Sequence, residues 1–187
     1  MDPRAPRGTV ISVNAVDTVE SDETERWQRL AWMRTAIAAV IEGFPNSPRW
    51  GRRPDGESET VLAPEQVSDA EVLVEFLPRL DRALRSHNWR ARPSAPVRVR
   101  VAVDRGGGAL VRAVGLRDIE PLRSALDWVP DAVVGLAVSD HFYRSVVWEG
   151  DPALTPGAYR RVVAAPGTAW IRLIEYDVPE GYQLLHS

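Results

Sequence analysis

The sequence predicts a single α+β domain built on a mostly antiparallel sheet, and three observations carry that prediction. From Val97 to Val103 a valine stands at every second position, the period of a strand with one buried face. Trp27, Leu30, Met33, Ile37, Val40 and Ile41 recur at the spacing of one helix face. Strands and helices otherwise alternate irregularly around a mid-chain hairpin, not in the βαβα order that builds a doubly wound parallel sheet.

Residues 1–8 read as a polar, flexible lead, 9–174 as the domain and 175–187 as a tail. Thr9 to Asn14 is an apolar run of strand length. Ser21-Asp22-Glu23 opens the first long helix, and Gly43 and Pro45 close it. Residues 46–56, rich in Pro, Gly and Arg, read as a loop with a short edge strand near Trp50; a strand follows at Thr60 to Ala63. Ser68-Asp69-Ala70-Glu71 is a capping box for a helix reaching His87, in which Pro78 must kink or restart the spiral.

Pro93 and Pro96 punctuate a linker ahead of the alternating strand. Gly106-Gly107-Gly108 then turns the chain into a second short strand, Leu110 to Val114; with no Gly-Lys-Ser/Thr after it, this is a hairpin and not a phosphate loop. A helix is expected from Arg117 to Trp128 and a buried strand over Val133 to Val138. Ser139-Asp140 caps a short helix, Phe142 to Trp148. Two closing strands, Tyr159 to Ala164 and Thr168 to Ile174, are joined by Ala165-Pro166-Gly167.

Composition narrows the function. At 187 residues and 44% hydrophobic content, one packed core is expected. The 23 basic residues are all arginines, dispersed along a chain of net charge -3, so no footprint for nucleic acid is present. Cysteine is absent, which excludes disulfides, thiolate metal sites and a Cys nucleophile. No run nears the roughly 18 to 20 apolar residues of a membrane span, and Met1-Asp2-Pro3-Arg4 is no signal peptide. A soluble cytoplasmic protein is expected. His87, His141 and His186 lack metal-ligand spacing. Of the seven tryptophans most are expected in the core, with one or two exposed rings marking an interface.

The chemistry-bearing positions are Asn14 and Asp55. Asn14 ends the first strand, and Asp55 lies in the turn Arg53-Pro54-Asp55-Gly56. A strand-end carboxylate and a second carboxylate on a nearby hairpin hold Mg²⁺ against a nucleoside triphosphate in many folds. Here the turn carboxylate is present and the strand-end group is an amide.

In order and spacing the chain resembles the stand-alone class III nucleotidyl cyclase-like proteins of actinobacteria. The matching blocks are Val13-Asn14-Ala15-Val16, Arg53-Pro54-Asp55-Gly56 in place of an Arg-Gly-Asp-Gly hairpin, Pro78-Arg79-Leu80 with Leu84 to Asn88, Val97 to Val103, Val138 to Tyr143, Tyr159 to Val162 and Ala169 to Leu173. The resemblance implies a ferredoxin-like sandwich of the nucleotidyl cyclase type, with long helices covering one face of the sheet. It also implies cyclisation of a nucleoside triphosphate. Two carboxylates hold Mg²⁺ or Mn²⁺, an Asn orients the ribose and an Arg one turn later stabilises transition-state charge, in sites shared across a dimer.

Against that pattern, the first metal position is Asn14 and the second, Asp55, is kept. Matching Leu122 to Leu126 to a later family block puts Val111 and Gly115 at the Asn and Arg positions, with a deletion between Gly108 and Val114. Matching Val114-Gly115 instead puts Ile119 and Arg123 there. The first register keeps the spacing to Ser139-Asp140, and both lose the Asn. No lysine exists to read a base. A degenerate homologue that senses a nucleotide or a partner is therefore expected, with Arg53 and Gly56 beside the ligand. Arg98 and Arg100 are expected at the interface with a second copy or a heteromeric partner. The alternatives are a weak cyclase using Asn14, Asp55 and a substitute carboxylate, Asp17 or Asp104, and a structural interaction domain of a bacterial defence or signalling system.

Overall fold

Seven strands form one sheet in the order β2-β3-β1-β4-β5-β7-β6. The computed structural model describes residues 8–17, 22–93, 96–165 and 167–176. The lead before Gly8, Ser21, residues 94 and 95 of the linker, Pro166 of the last turn and the tail beyond Tyr176 lie outside them. The strands are β1 (Val10–Ala15), β2 (Gly51–Asp55), β3 (Ser58–Leu62), β4 (Val99–Asp104), β5 (Val134–Ser139), β6 (Arg160–Ala164) and β7 (Gly167–Leu173). Every neighbouring pair is antiparallel except β4 and β5. A parallel pair needs a crossover, and here it carries two helices, α4 (Ala109–Arg117) and α5 (Glu120–Trp128).

Side-chain size separates the two faces. On one face Ile11, Val13, Val99, Val101, Val103, Leu136 and Val138 pack under the long helices α1 (Glu23–Glu42) and α3 (Leu77–Ala91), which contribute Leu30, Met33, Ile37, Leu80 and Leu84. The other face of the same strands carries the small Ala102 and Ala137. There Ala109, Ala113 and Leu116 of α4 and Leu122, Ala125 and Leu126 of α5 complete a second core. Gly135 of β5 lies beneath α5: a Cβ on it would stand 2.9 Å from Leu126 Cδ1 and 3.1 Å from Leu122 Cδ1. The expected long helices thus cover one face, and the two short ones cover part of the other.

The segment expected as a strand at Leu110 to Val114 is helical. Ala109, Ala113 and Leu116 recur at i, i+4 and i+7, so the run is one apolar helix face, which five residues alone cannot distinguish from a strand. Gly106 and Gly108 take positive φ, 80° and 74°, and reverse the chain directly from β4 into α4 without a hairpin. The helix expected from Arg117 to Trp128 is interrupted, because Ile119 is extended (φ -63°, ψ 140°) and Pro121 starts a new helix within its first turn.

Pro78 stands in the first turn of α3, where the α-helical register starts again after a wide turn. The short helix α2 (Asp69–Glu71), opened by the Ser68 capping box, runs through one wide π turn, Val72–Phe76, into α3. Leu77 N–H reaches back to the Val72 carbonyl, so the missing N–H of Pro78 falls where the register has already shifted. α3 runs past His87 to Ala91 and ends on Arg92 in the left-handed region (φ 43°). Asn88 then pairs with both backbone groups of Val97, at 2.8 and 3.0 Å, tying the helix to the chain entering β4. The last helix is α6 (Asp140–Phe142) continued by a π turn, Tyr143–Trp148.

Replacing Gly135→Ala forces the added methyl against α5. It is expected to lower unfolding free energy by about 1–3 kcal/mol in urea titrations, with the α5 packing lost first in amide exchange.

Candidate functional site

The register of the sheet places Asp55 of β2, Ser58 of β3, Asn14 of β1 and Arg100 of β4 in one cross-strand row. Residues directly opposed across strands point to the same face, here the face that α4 and α5 partly cover. Asp55 and Asn14 lie two strands apart, roughly 10 Å by strand spacing. Gly56, at φ 55°, makes the tight hairpin turn that puts Asp55 at the end of β2. The hairpin expected around Arg53-Pro54-Asp55-Gly56 is therefore present, formed by β2 and β3 themselves. Arg53 is exposed on β2, on the same face, opposite Thr60.

The rest of this pole is arginine-rich. Asn14 Oδ1 and Arg100 Nε are buried without a hydrogen-bond partner among the described residues. Arg100 pairs with Asp118 at 3.2 Å, and Arg117 holds the same carboxylate at 2.9 Å while donating to Ser12 Oγ at 2.9 Å. Burial, with smaller contributions from Arg123 and Arg117, pushes the Arg100 guanidinium below its usual range, and Asp118 acts in the opposite direction. Arg123 itself is exposed on α5.

At the exit of β1, Asp17 is held by Arg29 at 2.8 Å and Arg26 at 3.2 Å, and Arg26 also reaches Glu57 of the hairpin at 3.7 Å. The neighbouring start of α1 is negative. Asp22 accepts the Glu25 N–H at 2.8 Å, and Glu23 and Glu25 occupy the first turn. Carboxylates thus stand where a helix start offers positive charge to a phosphate.

These residues do not fit a pair of hard cations. Mg²⁺ and Mn²⁺ need several anionic oxygens. The row supplies one carboxylate, Asp55, beside a neutral amide and a guanidinium; Asp17 is committed to Arg26 and Arg29, and Asp118 to Arg100 and Arg117. Among the described residues no group of three His, Asp or Glu side chains converges. Asp104, the other candidate substitute, lies at the far end of β4 opposite Val10. It is fully buried between Arg112, Ser139 Oγ at 3.0 Å and the Arg105 N–H at 2.8 Å. It cannot join Asn14, because the length of β1 separates them.

Arg98 and Arg100, expected at an interface, turn inward. Arg98 donates to the carbonyls of Leu126, Val129 (3.2 Å) and Ala132 (2.9 Å), closing the C-terminal end of α5, and Arg100 is bound to Asp118. The face they share with Ala102 is covered by the two short helices, and α4 lies where the sequence predicts the strand Leu110 to Val114. Ser139 caps α6 through the Phe142 N–H at 3.1 Å, as expected of an N-cap. The tryptophans depart from expectation: Trp50 is buried, but Trp27, Trp32, Trp89, Trp128 and Trp148 are exposed.

Val111 and Gly115 lie one turn apart on α4, both exposed, whereas Ile119 is buried in the turn between α4 and α5. Beside α4 runs an apolar groove of about 260 Å³, lined by Val10, Gly51, Arg53, Thr60, Leu62 and Leu110. No sequence signal marked it, because its wall is the helix that reads as a strand.

No family model matches the chain, and no curated protein matches it. Solved structures do. The guanylyl cyclase Cya2 superposes with a TM-score of 0.59 at 14% identity, over 93% of this chain and 93% of that one. The catalytic core of a rhodopsin-guanylyl cyclase with converted specificity, in complex with ATPαS, gives 0.55 at 13% identity over 88% and 94%. An adenylate/guanylate cyclase/hydrolase from Silicibacter pomeroyi gives 0.53 at 12% identity over 90% and 96%. The chain has the fold of the nucleotidyl cyclase catalytic domain.

Asp104→Ala leaves the Ser139 hydroxyl and Arg112 without their shared carboxylate. The expected loss is about 2–3 kcal/mol of unfolding free energy, measured by chemical denaturation, and far smaller for exposed Asp55→Ala.

Proposed function

We propose that this chain is a nucleotidyl cyclase-fold domain that has lost cyclisation and serves as a cytoplasmic signalling module, reporting a nucleotide or a partner polypeptide. The observation that carries the reading is the row Asp55-Ser58-Asn14-Arg100, which supplies one carboxylate where two-metal phosphoryl chemistry needs two. Three others support it. Asp17 is neutralised by Arg26 and Arg29, the start of α1 is negative, and α4 presents Val111 and Gly115 where the resemblance calls for an Asn and an Arg. No helix of the described residues is long and apolar enough to cross a membrane.

Without the metal pair, the 3′-oxygen of a bound nucleotide has no group to lower its pKa, and the leaving pyrophosphate has no counter-charge. Binding at this pole then changes only which surfaces are free. A divergent, weak cyclase is the second reading, and one observation favours it: the hairpin survives and aims Asp55 to the same face as Asn14.

The test is a cyclase assay with each of the four nucleoside triphosphates and Mg²⁺ or Mn²⁺. Product at the level of the enzyme-free control is expected; a cyclic product abolished by Asp55→Ala establishes the second reading instead. Asn14→Asp restores the carboxylate pair, with Arg100 directly across the strand to offset the added charge. Calorimetric uptake of Mn²⁺ with nucleotide, but no turnover, is expected from this variant.

A further inference from the structure

Taking the Asn14 pole as a nucleotide sensor, as proposed above, we infer that it holds the ligand's phosphate chain directly on the Arg100 guanidinium, with no metal ion between them. In a two-metal site the protein face is anionic, and cations bridge it to the phosphates. Here the row carries the opposite sign: Arg100 of β4 lies directly across from Asn14 of β1. Asp55 stands three strands away from it, roughly 14 Å by strand spacing, too far to neutralise Arg100.

The local charges do not balance. Two guanidiniums share one carboxylate. Arg117, itself buried, meets Asp118 at 2.9 Å, and Arg100 meets it through Nη2 at 3.2 Å. One positive charge of the three is left over, and a charge withdrawn from water needs a counter-charge. The carboxylate is also the more solvated partner, 33% exposed against 14% for Arg100. Burial first, and then the like charges of Arg123 and Arg117, hold the Arg100 guanidinium below its usual range; Asp118 and Asp127 act against them. Arg100 Nε is buried and has no acceptor among the described residues. A planar guanidinium fork with donors to spare matches phosphate oxygens in geometry as well as in sign.

The neighbours favour the same ligand. An aspartate at position 14 would give Arg100 a counter-charge from within the chain, and the amide does not. Asn14 Oδ1 is buried without a donor among the described residues, and a half turn of the amide puts the Nδ2 donors in its place. Arg53 on β2 and Arg123 on α5 are exposed. The start of α1, with Asp22, Glu23 and Glu25, repels phosphate and leaves the sheet face to receive it. Arg100 supplies one positive charge in place of a pair of divalent cations. That suffices to hold a phosphate group and does not activate a 3′-oxygen, so binding proceeds without turnover.

Titration calorimetry with inorganic pyrophosphate and with each nucleoside triphosphate, in EDTA and in Mg²⁺, tests the inference. Wild type is expected to bind in EDTA, with no gain from Mg²⁺ and a loss in added salt. Arg100→Met removes the charge and keeps an unbranched side chain. It is expected to weaken binding by about tenfold or more. Arg144→Gln, 71% exposed in the π turn beyond the other end of β5, is expected to leave binding unchanged. Asn14→Asp tests the same point with Arg100 in place: the new carboxylate pairs with Arg100, so binding in EDTA is expected to be lost and to return only with Mn²⁺. Binding that always needs a divalent cation, no binding at all, or binding indifferent to both Arg100→Met and Asn14→Asp overturns the inference. So does a triphosphate that pyrophosphate fails to displace, because its nucleoside is then what is held. The cyclase assay keeps the two readings apart. Absence of both metal-free binding and cyclic product removes the phosphate site alone; Arg100-dependent binding in EDTA together with a cyclic product removes the loss of cyclisation alone.

Discussion

The architecture depends on an asymmetry in β4 and β5, the one parallel pair. Both strands present large aliphatic side chains to one face; on the other, β5 carries Gly135 and Ala137, and β4 carries Ala102 between Arg100 and Asp104. The large side chains hold the long helices at ordinary sheet-to-helix distance and form the main core. The small ones let α4 and α5 approach closely, and that crossover is what a parallel connection requires. The asymmetry therefore sets the topology as well as the packing. A side chain at Gly135 would meet Leu122 and Leu126 and push α5 off the sheet.

The two ends of the sheet are held by different sets of ion pairs. The pole at Asn14 is held together by ion pairs internal to the chain: Asp17 with Arg26 and Arg29, Asp118 with Arg100 and Arg117. None of these needs a bound cation. Half-exposed pairs of this kind contribute little individually, but Arg29 and Arg117 are buried, and their carboxylates keep those charges from being stranded. At the opposite pole Asp104 joins Ser139 and Arg112. The two ends of the sheet are thus secured by separate sets of contacts.

Much of the fold was legible in the chain. The valine alternation of β4, the apolar spacing of α1, the capping box at Ser68 and the N-cap at Ser139 are local patterns, and each is found where the pattern puts it. The departures have one physical source. A run of five residues such as Leu110 to Val114 satisfies both periods, and only the small-residue surface beneath it selects a helix. The π turn before Pro78 leaves no mark in the local pattern. The exposed tryptophans follow neighbours in space, which spacing along the chain does not reveal.

At the site, the sequence by itself determined the residue types: an amide at Asn14, a carboxylate at Asp55 and no lysine anywhere in the chain. Those are statements of residue type, and no packing can alter them. Only the tertiary structure decided how those groups are partnered. It brought Arg100 across from Asn14, committed Asp17 to two arginines, carried Asp104 to the far pole, turned Arg98 onto the end of α5 and left Val111 exposed beside an open groove. Each of these depends on strand register and helix placement, which are set by contacts between residues distant in the chain.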